Sequence, residues 1–247
     1  MPFTPKPPAR TIVVASYNIH SCVGADRLRD PARVAEVIRE LDADIVALQE
    51  VDAEHGVGLD SDQWHYLSTA TGHACIPGIS LRTHRRTFGN ALLTRRPALA
   101  VRLHDLSVTA CEPRGAIEAD IAVGSGLVRV IATHFGLGRR ERRRQAEIVA
   151  AILADGVTEA RASLVLGDLN EWRPGAGSLL PLLQHCQRAP TPRSFPARHP
   201  LLTLDRVLVS GAARLANVAA HASPLARRAS DHLPVTGSLA WLPERSA

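Results

Sequence analysis

Side chains able to bind ions, orient water and move protons stand at the ends of apolar runs in this chain. The clearest case is SLVLGDLN (163–170), where a run that reads as a buried strand stops at Gly167, Asp168, Leu169 and Asn170. A strand continued through Asn170 would put Asp168 and Asn170 on one face, because strand side chains alternate. A carboxylate and an amide together are costly to bury unless a metal, a water, a substrate or other polar groups meet them. The arrangement recurs. Asn18 ends TIVVASYN, Glu50 ends DIVALQE, His134 ends LVRVIATH, and Asp231 and His232 precede LPVTGSLAW. Polar groups at the ends of several core strands imply one shared site.

The elements that must position them follow from periodicity. Strands are expected over 11–19, 44–51, 89–94, 117–123, 127–135, 163–169, 203–209 and 234–242. Most are continuous apolar runs, the pattern of strands covered on both faces. Asp30 followed by Pro31 reads as a helix cap and first residue, with Val34, Val37, Ile38 and Leu41 at helical spacing behind them. A second helix is expected over 140–153, with Ile148, Val149, Ile152 and Leu153 inward and Asp155–Gly156 at its end. Shorter helices are expected over 61–71 and 178–186. Gly124–Ser125–Gly126 reads as a hairpin turn. Passages of βαβ type mixed with a hairpin point to a mixed two-sheet α/β domain. The Pro- and Arg-rich stretch 188–200 reads as a surface loop beside the site.

A chain of 247 residues with an ordinary apolar share suffices for one domain with a substantial core. No run approaches the ~20 apolar residues of a membrane span. The N-terminal MPFTPKPPAR lacks an apolar h-region, which argues against a signal peptide, and its prolines imply an extended leader. Cys22, Cys75, Cys111 and Cys186 are widely spaced without a CxxC, which disfavours a zinc site or a disulfide scaffold. Free thiols in a cytoplasmic setting are the expectation. The formal net charge of +5 suits a phosphate-bearing partner.

In order along the chain stand SYNIH (16–20), ALQEVD (47–52), FGNALLTRRP (88–97), ATHFGL (132–137), LGDLNEW (166–172), LDRVLVS (204–210) and SDHLPV (230–235). Together they resemble the motifs of the endonuclease/exonuclease/phosphatase superfamily, which has the pancreatic-deoxyribonuclease fold. Each motif alone is weak, whereas the ordered set is specific. The resemblance implies a four-layer α/β/β/α sandwich of two mixed, mostly antiparallel sheets flanked by helices. It makes 11–243 a single catalytic domain behind a leader over 1–10. It also implies hydrolysis of phosphate esters with a divalent metal, usually Mg²⁺, with Mn²⁺ as a substitute.

Residue by residue, the resemblance makes Glu50 the main metal carboxylate, assisted by Asn18 and by the terminal Asp231. Mg²⁺ prefers one or two carboxylates plus waters and phosphate oxygens. His20 stands where many relatives carry Asp or Asn and is expected near the substrate. Asp168 and Asn170 correspond to the pair that positions the attacking water. His232 corresponds to the catalytic histidine and Asp205 to its acid partner, a pairing that activates water or stabilises the transition state. His134 corresponds to the histidine at the scissile phosphate. Arg114 in EPRGA is expected to clamp a phosphate oxygen, and Asn90 to line the site. Taken singly, most of these residues have plain alternatives: Asn18 or GDLN as a turn, Glu50 as an exposed strand-end acid, Asp205 as a salt bridge to Arg206. The basic run Arg139, Arg140, Arg142, Arg143 and Arg144 reads first as a solvated helix face, although cations at a helix start oppose its dipole.

The function expected is a metal-dependent phosphodiesterase using in-line attack by water. Its substrate would be a small phosphodiester, a nucleotide or a lipid head group. A DNA endonuclease or exonuclease is the alternative within the family. A non-catalytic phosphate-binding scaffold is the alternative outside enzymes. The sequence leaves the oligomeric state open.

Overall fold

The computed structural model describes residues 12–54, 62–123, 126–155, 160–173 and 175–242. The expected leader, the turn residues Gly124–Ser125 and Gly156 lie outside them. The described strands are β1 (Ile12–Asn18), β2 (Ile45–Glu54), β3 (Ala74–Arg82), β4 (Arg86–Thr94), β5 (Ala98–Asp105), β6 (Gly115–Val123), β7 (Gly126–His134), β8 (Ala160–Asp168), β9 (Asp205–Gly211), β10 (Ala213–Ala220) and β11 (Val235–Trp241). The helices are α1 (Pro31–Leu41), α2 (Gln63–Thr71), α3 (Arg139–Ala154) and the single turns α4 (Leu180–Leu183) and α5 (Ala226–Ala229).

One sheet has the order β10-β11-β1-β2-β4-β3 and the other β5-β6-β7-β8-β9. Only β1–β2 and β7–β8 pair in parallel. These are the two connections made by long helices, α1 and α3, as crossover geometry requires. The remaining pairings are antiparallel.

Three apolar clusters glue the four layers. The first packs α1 and α2, through Val34, Val37, Ile38, Trp64 and Leu67, against Tyr17, Val46 and Leu48 of the first sheet. The second lies between the sheets, with Val14, Ile45, Leu92, Ile117, Val130, Leu164, Leu166 and Val207. The third packs Ala146 and Val149 of α3 against Ile131, Val165 and Leu208. The expected α/β/β/α sandwich is therefore present.

Local signals worked where the chain caps itself. Asp30 accepts a hydrogen bond from Arg33 N at 2.9 Å ahead of Pro31, and Val34, Val37, Ile38 and Leu41 are all buried. Asp62 caps α2 in the same way through His65 N. The helix expected over 178–186 is only one turn, continued by tight turns at His185 and Cys186. In α3 the buried face is Glu141, Arg142, Gln145, Ala146, Val149 and Ala150, while Ile148, Ile152 and Leu153 are half-buried. The apolar spacing found the side that packs on the core, where Ile148, Ile152 and Leu153 lie against the cluster with Val149, and missed its extension through polar side chains of the first two turns, which dock into the loops beside the cavity.

Sequence periodicity missed β3, β5 and β10, and each is the edge of a sheet. β9, an edge too, is buried along most of its length and keeps its apolar run, whereas β3, β5 and β10 are widely exposed and carry none. Leu164 is fully buried between the sheets. Leu164→Ala is expected to lower unfolding free energy by ~2–5 kcal/mol in urea titration; a loss near zero would contradict burial on both sides.

Candidate active site

The face of each sheet that buries the inter-sheet core ends in polar groups. In β8, Leu164 and Leu166 are followed two residues on by Asp168; in β7, Val130 and Ala132 by His134; in β1, Ile12 and Val14 by Ser16 and Asn18. β9 runs the other way, from Asp205 to Val207 and Val209. Strand register sets His134 beside Asp168 and Asp168 beside Asp205. The site thus caps the core at one end of the sandwich. Gly167 is required here, because a Cβ would stand 2.2 Å from the Thr133 carbonyl oxygen of β7.

Two expectations about the backbone need correction. β8 ends at Asp168, and Asn170 has φ +53°, so no strand period aligns the pair. Asn170 is aligned instead by its own N–H, which donates to Asp168 Oδ1 at 2.9 Å, and by its amide, which donates to Phe135 O at 2.8 Å. Nor does β2 end at Glu50. It runs on to Glu54, and its pairing with β4 shifts register between Leu48 and Val51. Glu50, with φ +58°, sits in that irregularity. Bulges of this kind re-aim a side chain.

Asp168, only 1% exposed, is the meeting point. Its Oδ2 accepts from Asn18 Nδ2 at 3.1 Å and lies 3.7 Å from both His134 Nε2 and His232 Nε2. Asn18 Nδ2 also donates to Glu50 Oε1 at 2.9 Å, while its oxygen accepts from His20 N at 3.0 Å. That bond fixes which end of the amide faces the carboxylates. Asn18 therefore presents N–H groups toward Glu50 and Asp168.

The two histidines are in opposite charge states. His232 Nδ1 lies 2.9 Å from Asp205 Oδ2, which also accepts from Ser194 Oγ. Burial pushes His232 down, but Asp205, Asp168 and Asp231 outweigh it and hold the imidazole up at about 10. Phe195 leans on its ring, with centroids 4.8 Å apart. Burial pushes His134 down to about 4, with Arg114 and His232 acting in the same direction against Asp168. His232 is thus held toward its charged form and His134 toward its neutral one. Asn170 Nδ2, 3.2 Å from His134 Nε2, is its donor in this network.

The alternative for Asp205, a salt bridge to Arg206, is not formed. Arg206 donates to the Glu171 carbonyl and Thr203 Oγ1 instead. Arg114 lines the cavity, pairs with Glu112 at 3.1 Å, and keeps a buried Nε without a partner. Such a group suits an anion. Asn90 does not line the cavity. Its amide donates to Gly115 O at 3.1 Å, tying β4 to the start of β6 across the sheets. His20 and Asp231 stand together at 3.7 Å, both partly exposed, on the Glu50 side.

The cavity measures about 480 Å³. Glu50, Arg114, His134, Asp168, Asn170 and His232 form its polar wall, and Phe88, Leu137, Trp172, Phe195, Leu202 and Leu204 its apolar wall. Leu137 and Trp172 are exposed at 77% and 51%. Arg142, read above as part of a solvated face, is buried and holds the loops that carry these two residues. It donates to the Gly136 and Leu137 carbonyls and pairs with Glu171 Oε2 at 3.3 Å, which also accepts from Ser178 Oγ. Gln145 Oε1 accepts from Gly136 N at 2.8 Å. Sequence reasoning missed this clamp. Its one signal was ERRRQ, where Glu141, Arg142 and Gln145 share a helix face.

Two groupings suit a cation on chemical grounds. Asp168, Asp205 and His232 bring three donor atoms within 4.8 Å of one another. There Asp205 Oδ2 is already shared with His232 Nδ1 and Ser194 Oγ. Glu50 fits better. Burial raises its carboxyl, Asp231 raises it further, and its hydrogen bond is the one from Asn18. Glu50 and Asp231 are close enough to raise one another's cost of charge, and carboxylates are the hard-oxygen ligands a Mg²⁺-like ion prefers.

The comparisons give the fold and the family. The chain belongs to the Endonuclease/Exonuclease/phosphatase family, whose model matches residues 15–232. Enzymes of this family act on phosphate esters and generally use a divalent metal. The chain is 31% identical to the uncharacterized protein YbhP of Escherichia coli (strain K12), covering 92% of this chain and 95% of that one. An endonuclease/exonuclease/phosphatase structure from Beutenbergia cavernae superposes with TM-score 0.77 at 24% identity, over 96% of this chain and 73% of that one. A mannosyl-6-phosphatase from Bacteroides thetaiotaomicron gives 0.72 at 18%, over 93% and 100%. D. rerio TDP2, complexed with a single-strand DNA product, gives 0.72 at 16%, over 94% and 99%.

Two predictions follow from this geometry. By ¹⁵N NMR, the His232 ring should stay doubly protonated until pH nears 10, and His134 should stay neutral until pH nears 4. The stability from His232 is complete below its ordinary value of 6.5 and is lost as pH rises through about 10; that from His134 is complete above 6.5 and is lost as pH falls through about 4. Matching titrations near 6.5 for both would refute the assignment. Glu171→Ala should cost ~3–5 kcal/mol in urea unfolding, since it strands the buried Arg142 charge; a loss below ~1 kcal/mol would remove the clamp.

Proposed function

We propose that the protein is a divalent-metal-dependent phosphodiesterase that hydrolyses its substrate by in-line attack of water, without a protein nucleophile. The observation that carries this reading is Asp168. Its carboxylate stands between a neutral and a cationic histidine, on the same cavity wall as Glu50.

Glu50 and Asp231 would hold the metal, which supplies positive charge to a phosphate oxygen when bound. Asp168, steadied by Asn18 and by the Asn170 N–H, orients the attacking water and takes its proton. His232, kept charged by Asp205, faces the phosphate as a fixed cation, so the dyad stabilises developing charge and is not the base. Arg114, which lines the cavity, offers its guanidinium to a phosphate oxygen. His134 presents a neutral ring, and Asn170 holds it in place.

The cavity shape bears on the substrate. A bounded pocket with an apolar wall suits a small phosphodiester carrying an apolar or aromatic group, such as a nucleotide or a lipid head group with its first carbons. DNA is the second reading, favoured by the +5 charge and the fold shared with TDP2. The scaffold reading loses ground, because each of Glu50, Asp168, Asp205, Asp231 and His232 retains a chemically competent side chain around one cavity.

The test is hydrolysis of bis-p-nitrophenyl phosphate and of a nucleotide and lipid-analogue panel with Mg²⁺ or Mn²⁺. Chelation should abolish turnover, and Asp168→Asn and Asp205→Asn should each lower kcat by ~10²–10⁴ with little change in KM. Turnover that survives chelation and Glu50→Ala would overturn the reading. Salt-sensitive nicking of supercoiled plasmid, lost in Asp168→Asn, would move DNA to first place.

A further inference from the structure

The apolar wall of the cavity does not stop at its mouth. Leu137 and Trp172 line the cavity yet are 77% and 51% exposed, and Leu201, next to the lining residue Leu202, is 64% exposed. The segments that carry them are pinned. Arg142 holds the Gly136 and Leu137 carbonyls and pairs with Glu171, and the Leu201 and Leu202 N–H groups both donate to the Phe195 carbonyl at 2.8 Å. Isolated exposed apolar residues need no explanation, but large ones held in place around a single opening do.

Cations surround the same opening. Arg139 and Arg140, close behind Leu137, are exposed, and the exposed Arg173 guanidinium stands over the Trp172 ring at 5.7 Å. No carboxylate among the described residues pairs with these three side chains. The acids nearby are engaged elsewhere: Glu112 with Arg114, Glu147 with Arg143 and Arg144, and Glu141 with the Gly138 N–H. Arg139 and Arg140 also open α3, where the helix dipole disfavours cations. An external anion relieves that conflict.

We propose that this rim docks on an anionic phospholipid bilayer, with Leu137, Trp172 and Leu201 entering the interface and Arg139 and Arg140 meeting lipid phosphates. Interfacial binding draws on this combination, apolar area buried at the acyl boundary plus attraction of basic groups to anionic lipid. A Trp ring, apolar in body and polar at its N–H, suits that boundary. A single strand of nucleic acid would need aromatic platforms for its bases, and two of the three apolar groups here are leucines. A protein seated on the rim would close the cavity, whereas a bilayer can deliver a head group into it. The proposal deepens the phosphodiesterase reading and rests on it in taking the cavity as the reactive site. Docking itself is measured without turnover, so the two fail separately.

The test is co-sedimentation of the intact protein with sucrose-loaded vesicles of phosphatidylcholine, alone or mixed with phosphatidylglycerol. Binding should require the anionic lipid and weaken as salt is raised. Arg139→Gln combined with Arg140→Gln should lower partitioning at least ~tenfold, and Leu201→Ser should lower it as well, each with unchanged circular dichroism. Phosphatidylcholine brominated on its acyl chains, added to the mixed vesicles, should quench the emission of the wild type and not that of Trp172→Phe. The other two tryptophans stand away from the rim: Trp64 is buried, and Trp241 lies past the Ile12–Leu239 pair, at the end of the sheet opposite Asn18. No binding to anionic vesicles would overturn the proposal. So would equal binding to both vesicle types, partitioning unchanged by the arginine substitutions, or quenching that survives in Trp172→Phe. Salt-sensitive binding of a single-stranded oligonucleotide through the same arginines, with none to vesicles, would give the rim to nucleic acid instead. Hydrolysis of bis-p-nitrophenyl phosphate without vesicles judges the catalytic reading by itself.

Discussion

The Asp168 carboxylate is the constraint around which the rest of the structure is arranged. A charge-bearing group buried at the end of an apolar core is costly unless dipoles and cations surround it. The chain supplies the Asn18 amide from the facing sheet, the Asn170 N–H from its own loop and the His232 imidazolium from the segment before β11. Each comes from a different stretch of the chain, so this carboxylate is compensated only when both sheets have stacked. Compensating it folds the site and fixes its charge at once. The left-handed backbone at His20, Glu50 and Asn170 is concentrated here, as strain at functional sites usually is.

The same inward-facing residues serve two ends. Along β7, β8 and β9 they form the dry interface between the sheets, and at one end they become the polar lining of the cavity. Rigidity is thereby shared: the close-packed core below sets where the row His134, Asp168 and Asp205 stands, and loops bring Asn170, Ser194 and His232 against it. Other loops form the rim. There Arg142 and Glu171, an ion pair inside the protein, hold the segments bearing Leu137 and Trp172. The core decides where the chemistry stands, and the rim decides what reaches it. The apolar and partly exposed character of that rim is what separates this cavity from a purely basic groove.

Much of this was legible in sequence, for a definable reason. Continuous apolar runs ending in Asn18, His134 and Asp168 announced both the strands and their functional ends, since burial on both faces leaves a strong linear signal. The Asp30–Pro31 cap is equally local. Edge strands β3, β5 and β10 left no such signal, because half their surface answers to solvent. Glu50 was assigned correctly to the site side of the molecule but for a wrong local reason: a register shift inside β2, invisible without its partner β4, aims it. Asn170 likewise reaches the site through a left-handed turn and not by strand alternation.

What the sequence by itself determined is the set of chemically able residues, the order of the elements that carry them and the family they belong to. Only the tertiary structure decided how those residues divide their work. It shifted one histidine toward its charged form and the other toward its neutral form, set the Asn18 amide against Glu50 and Asp168, withdrew Asn90 into the join between sheets and drew Arg142 out of solvent. The physical reason is that charge state and hydrogen-bond direction depend on burial and on neighbours distant in the chain, whereas residue type and apolar period are local.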